Sequence, residues 1–172
     1  MPRNSWSLLL ALVCILPLAC QSRDSTPAGW KSHQLGKEQV TVAAPTNYRD
    51  STEPEETLVL TPPNDPSVVL RFNLHYLEGQ GVPADVGIQF VRDQAKKKNL
   101  SVTEKSGKVF LTETNSGDEK GVKVERRFWQ IGFQNAVVVM SATVLASKKD
   151  DAAVKECLEK TVPGVIDSLK KR

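Results

Sequence analysis

The chain has 172 residues, of which 40% are hydrophobic and 25% charged, and its formal net charge is +3. This composition is typical of one ordinary globular domain with enough apolar side chains to form a core. The net charge is too small, and the basic residues too evenly spread, for a surface that binds nucleic acid, and we therefore exclude that partner.

The first residues have the three parts of a secretory signal. Arg3 supplies a positive charge, an apolar run begins at Leu8, and the small residue Ala19 precedes the presumed cleavage site. A run of about 12 residues is shorter than the roughly 20 that a membrane-spanning helix needs. We therefore predict that residues 1–19 are a signal peptide that is removed.

The stretch "LPLAC", residues 16–20, resembles the lipobox of bacterial lipoproteins, in which the cysteine receives a diacylglycerol thioether and becomes the new amino terminus. Ala19 and Cys20 fit the lipobox, whereas Pro17 stands where the family most often has leucine. The resemblance implies that Cys20 carries lipid and anchors the chain, since two or more acyl chains hold a soluble domain stably on a bilayer. The alternative is an ordinary secreted protein with an incidental free cysteine.

The residue after this cysteine bears on which membrane carries the protein. In proteobacterial lipoproteins an aspartate at this position tends to retain the protein in the inner membrane, and this chain has Gln21 instead. The resemblance therefore implies the outer membrane, with the domain facing the periplasm, rather than the inner membrane.

Residues 20–34 are predicted to be the lipidated cysteine followed by a flexible tether. The stretch "QSRDSTPAGWKS" is polar, contains Pro27 and Gly29, and has no periodicity. Trp30 is the exception, and it either packs against the domain or rests at the lipid interface, where tryptophan is favoured.

The remaining residues, 35–172, are predicted to form one domain. Strands are predicted in "EQVTVAAP", "ETLVLTP", "SVVLRFNLHYL", "SVTEKSG", "KVFLTETN" and the two halves of "GVKVERRFWQIGFQNAVVVMSATVLAS", and a helix in "ADVGIQFVRDQAKKKN". Residues 136–146 are apolar at nearly every position, so we expect a central strand covered on both faces. A terminal helix begins near Asp150, and Pro163 should kink or divide it.

Strands that follow one another directly imply an antiparallel sheet, and two amphipathic helices are available to cover it, so the predicted fold class is α+β. The opening "VTVAAPTNYR", the helix "ADVGIQFVRDQAKKK", the hairpin "VERRFWQIGFQNAVVVMSATV" and the terminal "VIDSLKK" are together similar to the PsbP and DcrB-like proteins. The resemblance covers roughly residues 35–172. It implies an α/β/α sandwich, with a mainly antiparallel sheet of about six to seven strands covered by two helices. It also implies a binding or accessory role, because that superfamily has no shared active site.

Residues that could carry out a reaction are few. The sequence contains no GxSxG, HExxH, CxxC or glycine-rich phosphate-binding motif. Its two histidines, His33 and His75, lie far apart, so we predict no metal site and no cofactor. With Cys14 removed in the signal and Cys20 lipidated, Cys157 has no disulfide partner, and its apolar helical neighbours favour a small buried side chain over a reactive thiol. Hydrolysis by two carboxylates is the remaining catalytic alternative, and we predict that the chain is not an enzyme.

The third predicted strand carries the first candidate binding site. Arg71, Asn73 and His75 lie on one face of that strand, opposite its apolar residues. They would form a polar floor for a ligand if a helix covers this face only in part. A solvent-exposed row without function is the alternative.

The long hairpin carries the second candidate site. Arg126, Arg127 and Trp129 are residue types that anchor protein partners, and the last two are our candidate partner-binding residues on this hairpin. Rim charges and core packing are the alternative roles for these side chains.

Two classes of function stay open. The first is a non-enzymatic lipoprotein, anchored in the cell envelope through Cys20, whose domain binds a protein partner or a small ligand. The second is a periplasmic immunity protein or inhibitor of a secreted toxin, since such factors are often small lipoproteins. A toxin gene next to this one would distinguish the second class from the first.

Overall fold

The computed structural model describes residues 26–171 except 38–39, 64, 78–80 and 82. The predicted signal peptide and Cys20 lie outside the described residues and stay predictions. The described residues form strands β1 to β10 and helices α1 to α3. The strands are, in chain order, Trp30–Leu35, Val40–Pro45, Arg49–Glu53, Thr57–Thr61, Val68–Tyr76, Thr103–Lys105, Lys108–Glu119, Val122–Phe133, Ala136–Leu145 and Lys170–Lys171. The α-helices are Val86–Lys98, Ala152–Glu156 and Val162–Ser168, with a 3₁₀ turn at Ala146–Lys148 and a π-helical turn at Cys157–Thr161.

The large sheet has seven strands in the order β3-β4-β5-β9-β8-β7-β6, and its neighbouring strands are antiparallel. β9 stands in the middle and is paired with β5 on one side and β8 on the other. The predicted central strand at residues 136–146 is thus confirmed, with its end at Leu145. A strand in this position is covered on both faces, which explains its nearly continuous apolar sequence.

Each face of the large sheet packs against a different layer. On one face, Phe72 and Met140 belong to a core that is shared with β2 and α3. On the other face, Val137 packs with Val91 and Ala95 of α1. The predicted α+β class, an antiparallel sheet with helices on both sides, is confirmed.

A smaller sheet has the order β1-β2-β10, and of its strands only β2 was predicted, in "EQVTVAAP". β1 begins at Trp30, so the prediction of a flexible tether is wrong from that residue to residue 34. His33 and Leu35 are buried and hold this strand to the domain. They alternate with the polar residues Ser32 and Gln34, and this apolar pattern is too short to predict a strand. The Trp30 ring packs against the main core, which confirms the first of its two predicted alternatives.

Pro163 divides the terminal helix, as predicted. α2 ends at Glu156, the π-helical turn follows, and α3 starts at Val162 with the proline in its first turn. A proline has no N–H to donate to the preceding turn, and it is best tolerated where a helix begins. Cys157, in the π-helical turn, is a buried free cysteine, in agreement with the predicted small buried side chain.

α1 is seated on the large sheet through backbone contact at two glycines. The Gly87 N–H donates to the Gln134 carbonyl at 2.8 Å. Gly132 of β8 lies so close to α1 that a Cβ there would be 2.3 Å from the Gly87 carbonyl oxygen. The helix packs on β7, β8 and β9 from this point. The position of α1 therefore decides which part of the sheet is covered.

Candidate binding surface

The sheet face that carries α1 extends beyond the helix. Half-exposed side chains from three neighbouring strands share this part, and we call five of them, which are polar or aromatic, the open sheet face: Arg71, Asn73, Arg126, Phe128 and Ser141. The register places Arg71, Ser141 and Phe128 in one row across β5, β9 and β8. The row presents a cation, a hydroxyl group and an aromatic ring on a backbone fixed by the central strands of the sheet.

Side chains of β3 and β4 hold the two β5 residues of this face. Arg71 donates two hydrogen bonds to the Glu53 carboxylate, at 3.0 and 3.3 Å. Asn73 Nδ2 donates to Thr57 Oγ1 at 2.6 Å, and that hydroxyl donates to the Pro54 carbonyl at 3.1 Å. An ion pair as exposed as that of Arg71 contributes only about 0–1 kcal/mol to stability. The ion pair of Arg71 with Glu53 can therefore be broken at small cost, whereas Asn73 is fixed in place.

The predicted row of Arg71, Asn73 and His75 shares one face of β5, as alternation along a strand requires. His75 is exposed and pairs in register with Val137, which packs under α1. α1 thus covers the sheet beside the row, which is the partial cover that a polar floor needs. The role of this row in binding stays a prediction.

Arg127 and Trp129 lie on the opposite face of β8, because they pair with Ala142 and Met140. Trp129 is 7% exposed and belongs to the main core. Arg127 lines a charged cavity of about 220 Å³, where its Nε lies 3.5 Å from a carboxylate oxygen of Glu125. Trp129 is therefore a core side chain and Arg127 is a charge at the rim. Neither lies on the sheet face that carries Arg71.

Sequence reasoning did not group Arg126, Phe128 and Ser141 with Arg71. Arg126 Nε donates to the Glu119 carboxylate at 2.9 Å, which holds the guanidinium near the end of β7. Period-2 alternation in "VERRFWQI" already separates Arg126 and Phe128 from their neighbours in the chain. The pairing of β5 with β9, which places Ser141 beside Arg71, is a long-range contact that alternation cannot reveal.

Three further side chains that could take part in a reaction, those of Cys157, Tyr48 and His33, are buried. Cys157 Sγ lies 3.4 Å from the Tyr48 hydroxyl in the wall of a cavity of about 310 Å³. Burial raises the pKa of the Cys157 thiol and the pKa of the Tyr48 hydroxyl, so both groups are protonated at neutral pH. Burial also lowers the pKa of His33, which favours its neutral form. A protonated thiol is a poor nucleophile, so this pair is a packing contact.

Two further observations limit the chemistry of the described part of the chain. Within these residues, no group of three or more His, Cys, Asp or Glu side chains is placed to hold a metal ion. Of the helices found there, none is long and apolar enough to span a bilayer.

Comparison with known proteins gives structural likenesses only. No protein-family model matches the sequence, and no curated protein sequence matches it. A protein of Bacteroides thetaiotaomicron has a similar structure, with a TM-score of 0.64 and 17% identity over 83% of this chain. The likeness covers 48% of that protein, so this chain spans about half its length. At this identity the likeness shows a shared fold.

Two further solved structures are more distantly similar. The cyanobacterial PsbP protein of Synechocystis, CyanoP, gives a TM-score of 0.38 and 10% identity, over 84% of this chain and 94% of its own. LpqN of Mycobacterium tuberculosis is described as involved in cell envelope biogenesis. It gives a TM-score of 0.46 and 19% identity, over 83% of this chain and 90% of its own. Both TM-scores are below 0.5, so these two likenesses carry no conclusion about the function of this chain.

Proposed function

We propose that this chain is a lipid-anchored protein of the bacterial cell envelope that binds a protein partner and catalyses no reaction. The observation that carries the proposal is the open sheet face, where polar and aromatic side chains are half-exposed on a fixed sheet. Arginine and aromatic residues contribute most to protein–protein binding. Small-molecule sites are concave and enclose most of their ligand, so this surface is better suited to another protein.

A non-catalytic role agrees with the state of the candidate groups. General acids, bases and nucleophiles need a partner within hydrogen-bond reach and a pKa matched to the reaction. The Cys157 thiol is buried and its pKa is raised, which is the direction that suppresses nucleophilic attack. Arg71 is neutralised by Glu53, an arrangement suited to exchange of ion pairs between proteins.

The proposed anchor is Cys20, and the proposed location is the outer membrane, facing the periplasm. Support comes from the match of Ala19 and Cys20 to a lipobox, from the short apolar run before them, and from Gln21 after them. The domain begins at β1, ten residues after this cysteine, so the tether would keep it within roughly 35 Å of the anchor.

Replacing Cys20 with serine is expected to abolish labelling by radioactive palmitate and to leave unprocessed precursor, because the hydroxyl does not replace the thiol as the acceptor of the lipid. Cys14→Ser is the matched control, since Cys14 lies within the predicted signal and labelling should persist. Labelled protein is measured after electrophoresis of whole-cell extracts. Detection of soluble, processed wild-type protein without lipid on Cys20 would contradict the anchor.

A photo-crosslinking residue in place of His75 is expected to give a discrete protein adduct in intact cells, because His75 is exposed at the end of the β5 row. The same residue in place of Lys160, an exposed position in the π-helical turn, should not give this adduct. Arg71→Glu, which reverses a charge on the same face of β5, should remove most of the product. Adducts are measured by electrophoresis and mass spectrometry. An adduct that is identical at both positions, or unchanged by Arg71→Glu, would rule out the open sheet face as the binding surface.

A further inference from the structure

A cleft of about 550 Å³ lies between the small sheet, the end of α3 and the hairpin of β6 and β7. Its volume is within the range of small-molecule sites. Pro27, Ala43 and Leu169 supply apolar wall, and polar side chains stand among them. None of its lining residues belongs to the open sheet face, so the cleft is a separate feature of the domain.

Of the described residues that line this cleft, more are basic than acidic. Lys108 and Lys170 line it together with Asp167. Lys105 Nζ lies 2.6 Å from the Asp167 carboxylate, and Lys108 Nζ donates to the Asp167 main-chain carbonyl at 3.0 Å. Among the described residues, the ammonium groups of Lys105 and Lys108 thus share the single carboxylate of Asp167, and two positive charges against one negative leave a local charge of +1. Burial lowers the pKa of Lys108, as expected for an ammonium group that has lost water and gained little negative charge in return.

A buried hydroxyl in the same cleft lacks a hydrogen-bond partner. Thr41 is 3% exposed, lines the cleft and pairs in register with Lys170, and its Oγ1 has no partner among the residues that the structure describes. The Ser168 hydroxyl nearby is fully used by the backbone of Ala43 and Val165. A buried polar group without a partner costs about 1–3 kcal/mol. The Thr41 hydroxyl therefore marks a position where a ligand atom would complete the site.

We propose that this cleft binds a phosphate group, with the ammonium groups of Lys108 and Lys170 and the hydroxyl of Thr41 as its donors. Phosphate suits a site with several donors better than carboxylate does, because it has three strong acceptor oxygens beside its negative charge. The rest of the ligand lies against the apolar wall of Pro27 and Leu169. The site does not depend on the proposed protein partner or on the lipid anchor.

A phospholipid headgroup and a soluble phosphate ester share this chemistry. The cleft includes Thr26 and Pro27, and Thr26 is the sixth residue after Cys20. Six extended residues span at most roughly 20 Å, so an anchored domain would bring the cleft within reach of headgroups. The two sources are separated by experiment.

The test is calorimetric titration of glycerol 1-phosphate into the full processed chain in non-ionic detergent micelles, with glycerol as the uncharged control. Saturable binding of the phosphate ester alone is expected. Lys108→Gln should weaken binding about tenfold or more, since a charge-assisted hydrogen bond is lost. Lys97→Gln, on an exposed lysine of α1 outside the cleft, is the matched control and should leave the affinity unchanged. Absence of saturable binding by the wild-type chain would overturn the proposal.

The Thr41→Val variant tests whether the Thr41 hydroxyl binds the ligand or is only an unsatisfied polar group. The change removes an unpartnered polar atom at nearly constant shape, so the unliganded protein should become more resistant to urea, while its affinity for glycerol 1-phosphate falls. A variant that is stabilised but binds the ester as tightly as the wild type removes Thr41 from the site and overturns the geometry proposed here.

Nanodiscs that contain phosphatidylglycerol identify the source of the phosphate. If a headgroup occupies the cleft, glycerol 1-phosphate that binds in micelles should bind at least about tenfold more weakly in the discs, because the lipid competes for the same lysines. Equal affinity in micelles and discs would assign the cleft to a soluble ester. Either result supports a phosphate site, and failure of the protein-adduct experiment would leave it unaffected.

Discussion

Replacing Gly132 with alanine is expected to lower the free energy of unfolding by about 3 kcal/mol or more, because the new methyl group has no space. It would lie 2.3 Å from the Gly87 carbonyl oxygen and 3.0 Å from a methyl group of Val91. The first contact is with main chain, so it can be relieved only by moving α1 away from β8. The melting temperature should fall by roughly 6–12 °C in a domain of this size. Urea and thermal denaturation measure both values.

Gly87→Ala should have a similar effect from the other side of the contact, since its Cβ would lie 2.3 Å from the Ala136 carbonyl oxygen. Gly117→Ala is the matched control. The nearest atom to its Cβ is a guanidinium nitrogen of Arg126, at 2.9 Å, and a flexible side chain can move aside. Its effect should be within about 1 kcal/mol of zero. If Gly132→Ala and Gly117→Ala denature at the same urea concentration, the close seating of α1 on β8 is wrong.

The strongly patterned elements of this fold could be predicted, and the others could not for identifiable reasons. β9 and α1 carry long apolar patterns of the right period, and both lie where they were predicted. β3, with the sequence "RDSTE", is exposed at all five residues, so it has no apolar pattern and is a strand only because β4 pairs with it. β10 has two residues and depends on β2, which is distant in the chain. Such edge strands depend on pairing partners, and a local pattern does not contain that information.

Part of the candidate site could likewise be predicted from the sequence, and part could not. Alternation along β5 placed Arg71, Asn73 and His75 on one face, and the structure agrees. How much of that face α1 covers depends on the contact between Gly87 and Gly132. A contact between two glycines buries no apolar side chain, so it leaves no periodic signal in the sequence. The extent of the open sheet face therefore needed the three-dimensional structure.

Trp129→Ala is expected to destabilise the domain by about 3–5 kcal/mol, because it removes the largest side chain type from a packed core. Trp129 is 7% exposed and stands beside Met140 of the central strand. The loss of so much buried surface cannot be recovered by small shifts of its neighbours. Urea denaturation followed by circular dichroism measures the change in the free energy of unfolding.

Arg127→Ala is the matched control, since Arg127 lies two residues away on the same face of β8 but has an exposed side chain and a long contact to Glu125. Its effect should stay within about 1 kcal/mol, as for other surface ion pairs. A partner anchor would behave in the opposite way: Trp129→Ala would leave the urea midpoint unchanged and abolish the adduct formed at position 75. That outcome would place Trp129 on a binding surface and remove it from the core. If Trp129→Ala lowers the urea midpoint but its folded fraction still forms the adduct at position 75, Trp129 acts in core packing. Binding would then belong to the face that carries Arg71.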